Sequence, residues 1–262
     1  MNPAASLAIA FATLVPSTAR AQTTTEGSAR VDVEAGALLL GRHLAYTDDV
    51  LHALDTFDLG AAPGLYARAS VYPGAFTRSR VAAMFGLYGG VEAMLNADSV
   101  DARGAVRPLH AYAGNAGLRV RLPFANPDVG VEVGWFTQRF TVGPTSPRDD
   151  GGIPDLALQG VSAGLAGRVN LGARWAVTAR ASYLAVLSAG DARRAYFPRE
   201  TIAGIVVAAG FVVRLPASLE ARVEVEYRRI FTSMHPEVGD AFVAGGALDQ
   251  FLAVRLGIAF RR

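Results

Sequence analysis

Leu219-Glu220-Ala221-Arg222-Val223-Glu224-Val225-Glu226-Tyr227-Arg228 is the stretch that decides the fold. Leu219, Ala221, Val223, Val225 and Tyr227 hold the odd positions, and Glu220, Arg222, Glu224, Glu226 and Arg228 hold the even ones. A strand sends successive side chains to opposite faces, so this segment has one aliphatic and one ionic face. A helix would mix the two sets around its circumference.

The same period of two recurs along the chain. Ten runs carry it: Ser28–Gly41, Ala62–Tyr72, Val81–Asn96, Leu109–Leu122, Pro127–Val142, Ala157–Asn170, Arg174–Ser188, Ile202–Leu215, Leu219–Thr232 and Gln250–Phe260. The faces opposite the aliphatic residues collect the charges. They hold Arg30, Arg68, Arg119, Arg121, Arg168, Arg174, Arg180, Arg214, Arg222, Arg228 and Arg255, with Asp32, Glu34, Glu92, Asp128, Glu132, Glu220, Glu224 and Glu226. Arg139 and Arg229 break the parity and lie near run ends. A soluble sandwich also alternates. Lipid explains the sorting better, because a charge at mid-bilayer on the outer face costs about 2–4 kcal/mol and little at the interface.

Two further features favour a barrel in a membrane. Tyr112, Trp135, Tyr183 and Tyr227 share the apolar faces toward one end, and Trp175 and Phe260 toward the other, as two aromatic belts require. Long links (His43–Ala61, Ala97–Pro108, Gly143–Leu156, Ala189–Thr201, Ser233–Asp249) alternate with shorter ones (Pro73–Arg80, Pro123–Asn126, Leu171–Ala173, Pro216–Ser218). That alternation suits loops on one side of a membrane and tight turns on the other. The expected fold is all-β: a closed antiparallel transmembrane β-barrel of ten strands. Eight or twelve are the alternatives, since Ala62–Tyr72 is the weakest run.

Composition agrees. Of 262 residues, 51% are hydrophobic and mean hydropathy is +0.26. Past the first 21 residues the longest uncharged apolar run is Thr201–Val213, 13 residues against the ~18–20 of a membrane helix. Every basic residue is arginine, net charge is only +2, and no basic cluster marks a nucleic-acid surface. No cysteine is present, which excludes disulfides and thiol chemistry. Neither a cofactor nor a metal is expected. Ala4–Val15 reads as the apolar core of a signal peptide, although Met1–Ala10 carries no positive charge. Ala19 and Ala21 are the small residues of its cleavage site, before Gln22. The expected organisation is a signal peptide over 1–21, a periplasmic segment over 22–27 and the barrel over 28–262.

The ending Arg255-Leu256-Gly257-Ile258-Ala259-Phe260, with Leu252 and Val254 before it, resembles the C-terminal assembly signal of bacterial outer-membrane β-barrels. Arg261-Arg262 extend beyond the usual terminal aromatic. The resemblance is to the small OmpA-like and OmpX-like class of the Gram-negative envelope. It implies an outer-membrane location with both termini periplasmic. Outer-membrane lipid and the barrel assembly machinery are the implied partners, with an extracellular ligand at the long loops.

Several motifs bear on function. Gly160-Val161-Ser162-Ala163-Gly164 matches the G-x-S-x-G nucleophile elbow, but that motif needs a strand, a sharp turn and a helix, and here period two runs straight through. In the first long link Thr47 or Asp48 is placed to cap a short helix with Val50, Leu51 and Leu54 inward. The acids around it lack EF-hand spacing. His52 with Asp48 or Asp49 could face His235, Glu237 or Asp240 across the closing seam, the rim arrangement of omptin proteases, although omptin motifs themselves are missing. The eighth run offers only Val206, Ala208, Gly210 and Val212 to the lumen, room for Tyr66, Tyr72, Met84 or Tyr88. The lumen charges carry the main reading: a non-enzymatic barrel plugged by paired charges, for envelope structure or surface interaction. The alternatives are a narrow porin-like channel for small solutes and an omptin-like or lipid-modifying rim enzyme.

Overall fold

The computed structural model describes residues 29–51, 54, 56–95, 97–100, 106–124, 126–143, 155–190, 197–237, 239–240 and 243–262. The signal peptide and the 22–27 segment expected from sequence lie outside these, as do His52 and Asp55. The chain forms a closed antiparallel barrel of ten strands. They are β1 (Val31–Thr47), β2 (Phe57–Val71), β3 (Phe85–Met94, resuming as Ala97–Val100), β4 (Val106–Arg121), β5 (Asp128–Val142), β6 (Leu156–Asn170), β7 (Trp175–Ser188), β8 (Thr201–Arg214), β9 (Leu219–Ser233) and β10 (Gly246–Arg261). Each strand pairs with its chain neighbours, both segments of β3 lie along β4, and β1 against β10 closes the wall. Closure gives every strand two hydrogen-bonded neighbours, the condition for backbone to cross lipid, while toward the loops Phe57–Leu59 of β2 pairs with β1 alone.

At the loop end three strands extend well beyond the sequence expectation. β1 runs past Gly41 to Thr47, β2 begins at Phe57 rather than Ala62, and β10 begins at Gly246 rather than Gln250. The cause is an inversion of the faces. In the half of the barrel nearest the chain termini the outside is apolar and the inside charged. Toward the long loops Leu44, Phe57, Leu109, Phe140, Leu156, Leu158, Ile230 and Phe251 point inward and form a buried apolar core. The outside there carries His43, Asp58, Gln159, Arg139, Arg229 and Gln250. His43 Nδ1 lies 2.5 Å from Asp58 Oδ1, and the Tyr227 hydroxyl donates to Gln250 at 2.6 Å. Arg139 and Arg229 thus obey the inverted pattern rather than violating the first one. A bulge in β2 opposite Gly41 shifts its register by one residue, which turns Phe57 and Leu59 inward above it.

Two smaller expectations are corrected. Ala82–Met84 forms a 3-10 turn ahead of β3, so Met84 is not a lumen strand residue. The first loop forms turns, not the capped helix, among its described residues. There Asp49 accepts the backbone N–H of Leu54 at 3.0 Å, and Val50 and Leu51 stay exposed while Leu54 is buried.

Glycines set where the lumen tyrosines lie. Gly36 stands between Tyr66 and Gly257 in the register of β2, β1 and β10, and Gly117 stands between Tyr88 and Gly134 in that of β3, β4 and β5. A Cβ built on Gly257 would come within 2.2 Å of the Tyr66 hydroxyl, and one on Gly134 within 2.6 Å of the Tyr88 hydroxyl. Each ring lies across two bare backbones, the arrangement that lets an aromatic cover strand glycines. Tyr72 covers Gly86 in the same way. The small face of β8 receives none of these tyrosines. Ala208 is flanked in register by Arg180 and Glu226, which bond to each other at 2.6 Å.

Candidate functional site

The lumen is the candidate site. Its arginines and carboxylates come from strands whose polar face the barrel turns inward, so neutralisation must come from within. Near the termini Arg222 bonds Asp32 (2.8 Å), Glu34 (2.9 Å) and Glu220 (2.6 Å). Arg168 grips both oxygens of Glu220 at 2.9 and 2.6 Å, and Arg119 bonds Glu132 at 2.6 Å through Nε. Arg261 belongs to β10 and reaches Asp32 (3.0 Å) and Asp128 (3.2 Å), so the residue after the terminal aromatic is a lumen ligand.

Midway along, Glu226 is the hub. Its carboxylate meets Arg180 (2.6 Å), Arg228 (2.8 Å) and Arg255 (3.1 Å). Glu224 is held by Arg68 at 2.7 Å and Arg255 at 3.1 Å. Glu92 takes Arg255 (2.6 Å) and Arg228 (3.1 Å), and Arg228 also donates to Gln138 at 2.6 Å. Arg68 and Glu92 enter from β2 and β3, while Glu224, Glu226 and Arg228 stand on β9, so the network spans the lumen. Such charge-assisted bonds are short and directional. Of the charges that sequence places on the lumen faces, Arg119, Glu132, Arg168, Arg180, Glu220, Arg222, Glu224, Glu226, Arg228 and Arg255 all take part in these ion pairs. Arg214 stands beside Glu220 in register and donates to Asn170 Oδ1 (2.6 Å) and the Ala173 carbonyl (3.1 Å). Arg174 sits exposed in the adjoining turn.

Sequence reasoning missed one pair. Arg42 grips Asp249 through Nε at 2.9 Å and Nη2 at 2.7 Å, inside the apolar core. Its guanidinium carbon stands 4.2 Å from the Phe140 ring centre, 5.3 Å from Phe251 and 5.5 Å from Phe57. The alternation of β1 runs through Arg42, one residue past the Ser28–Gly41 run, and Asp249 lies one residue ahead of the Gln250–Phe260 run. Continuing the period would have found both.

The remaining motifs resolve as structure. Ser162 sits mid-strand in β6, facing the lumen, 3.4 Å from the Gly134 carbonyl, with no helix after it. At the loop rim Arg199 pairs with Glu237 (3.4 Å) and Asp240, and donates to the His235 carbonyl at 3.0 Å. The Arg199 hydrogen bond holds the Asp240 carboxyl below its ordinary range. Loops one and five do adjoin, through Val50 N–H to the Val243 carbonyl at 3.1 Å. No group of metal-ligating side chains occurs among the described residues. Tyr112, Trp135, Tyr183, Trp175, Phe260, Leu256 and Ile258 are all exposed on the outer wall. Tyr227 faces outward too but is half-buried.

Glu224→Ala should lower stability by about 1–4 kcal/mol by underpairing Arg68, with the lumen's wetness setting the value. Urea unfolding of refolded protein measures it. A variant within experimental error of the parent would mean that these charges face open water.

Comparison with solved structures places the architecture. The outer-membrane protease OmpT of Escherichia coli superposes with a TM-score of 0.55 at 10% identity, covering 91% of this chain and 100% of that one. Neisserial surface protein A matches with a TM-score of 0.34, 12% identity and 90% and 100% coverage. The attachment invasion locus protein Ail of Yersinia pestis matches at 0.33, 8% identity and 89% and 99% coverage. No model of a protein family and no curated protein matches the sequence.

Proposed function

We propose, from a fold shared with bacterial outer-membrane β-barrel proteins, that this chain is a non-enzymatic outer-membrane barrel with a sealed lumen. Its task is structural or adhesive, with the long loops displayed outward to a ligand and both termini periplasmic. Outer-membrane lipid surrounds the apolar band, and the barrel assembly machinery inserts it. The observation that carries this reading is the filled interior. Ion pairs cross the termini half, and an apolar core with a caged Arg42–Asp249 pair occupies the loop half.

A narrow channel is the second reading. It is favoured by two lumen cavities of about 170 and 80 Å³ that share Arg68, Tyr88, Asn115 and Arg180. The smaller cavity reaches Phe136, Leu184 and Val206 at the edge of the apolar core, and its lining does not include Leu44, Phe57 or Phe251. The likeness to OmpT extends to the barrel. An omptin-like rim enzyme is disfavoured by the engagement of Glu237 and Asp240 with Arg199.

The absence of cysteine makes orientation testable. On intact cells, a membrane-impermeant maleimide should label Pro236→Cys in the last long loop. It should not label Ala173→Cys in a short turn until the outer membrane is permeabilised. The reverse pattern would refute the orientation.

A further inference from the structure

We propose that the termini end of the lumen is a binding site for a small oxyanion of the phosphate class, centred on Arg121. A cavity of about 170 Å³ lies there, lined by seven arginines and four carboxylates. Each carboxylate is already engaged: Asp32 by Arg222 and Arg261, Glu34 by Arg222, Glu224 by Arg68, and Asp128 by Arg261. Arg119 and Arg168 are taken up by Glu132 and Glu220.

Arg121 stands apart. Its side chain is 8% exposed, yet its ion pair with Asp128 spans 3.6 Å, beyond hydrogen-bond reach, and Arg261 competes for the same carboxylate. Neither Nε nor Nη1 has a hydrogen-bond partner. The guanidinium stacks on the Tyr72 ring, which fixes its plane. A buried cation with bare donors is unfavourable until an acceptor arrives. The cavity that Arg121 lines has the scale of a phosphate-sized anion with a few waters. Guanidinium forks suit oxyanions, and Arg68, Arg180 and Arg222 line the same space. Arg261 and Asp128, which line the same cavity, keep 21% and 26% of their side chains exposed. The site requires the folded barrel but neither its orientation nor its lack of conductance.

The test is calorimetric titration of refolded barrel in zwitterionic detergent with inorganic phosphate at constant ionic strength. Folding is checked by heat-modifiable gel mobility. Wild-type protein should bind saturably. Arg121→Gln should weaken binding about ten- to a hundredfold through the loss of charge-assisted hydrogen bonds. Arg199→Gln, at the opposite end, should leave it unchanged. Asp128→Asn should tighten it, by removing the carboxylate that Arg121 and Arg261 share. Absence of saturable binding, or wild-type affinity in folded Arg121→Gln, overturns the proposal. If Arg121→Gln does not fold, Asp128→Asn decides, and unchanged or weaker affinity there overturns it.

Discussion

Glu226→Gln is expected to destabilise the barrel by about 3–5 kcal/mol, the loss typical when one partner of a buried ionic cluster is removed. Glu226 is 3% exposed at its side chain and sits within 3.1 Å of Arg180, Arg228 and Arg255. Glutamine keeps the shape and can still accept a hydrogen bond, but it carries no charge. Three guanidinium groups would then share only Glu92 and Glu224 across the lumen. Glu224 is 18% exposed, so water can replace part of what its removal takes away, and its loss should be the smaller. Denaturant unfolding of refolded protein in liposomes, followed by tryptophan fluorescence, measures both variants. A Glu226→Gln variant within about 1 kcal/mol of the parent would show that the hub is hydrated and contributes little net energy.

Arg42→Ala should be comparably severe. Asp249 is 2% exposed and would be left charged among phenylalanine rings, and the guanidinium's contacts with those rings would vanish. The expected cost is again about 3–5 kcal/mol. The pair joins β1 to β10, the seam that closes the barrel, so the account also predicts slower refolding. Arg42→Met with Asp249→Leu should recover most of the loss, because well-packed apolar residues often replace a buried pair at little cost. Recovery in the double variant with loss in each single one would identify the pair as a specificity device rather than a source of stability. A single variant as stable as the parent would contradict the buried geometry.

Much of this was legible in the sequence because one physical rule governs most of the wall. Below their loop ends, β4 to β9 turn an apolar face to lipid and a charged face to the lumen, and the ends of those strands fall within a few residues of the alternating runs. Legibility failed where the rule changes sign. Above Gly41 in β1 and in the first turns of β2 and β10, apolar residues turn inward because water, not lipid, borders the wall. A reading that follows only outward apolar residues ends the strand too early and loses Arg42, Asp249 and the phenylalanine cage. The bulge in β2 adds a parity shift that composition does not announce. Cross-lumen partners were also hidden. Arg68 meets Glu224 because closure of β1 on β10 brings β2 within three strands of β9 around the wall, and no sequence spacing encodes that distance. The glycine pairs beneath Tyr66 and Tyr88 were visible only as an abundance of glycine, since their meaning depends on register.

The claim that matters most is that the interior is sealed by the apolar core at the loop end. Single-channel recording of the refolded wild-type protein in planar lipid bilayers tests it most directly. A sealed interior gives a flat baseline for wild-type protein, and stepwise current only once the core is hollowed by combining Phe140→Ala with Phe251→Ala. Discrete, reproducible conductance steps from the wild-type barrel would contradict it.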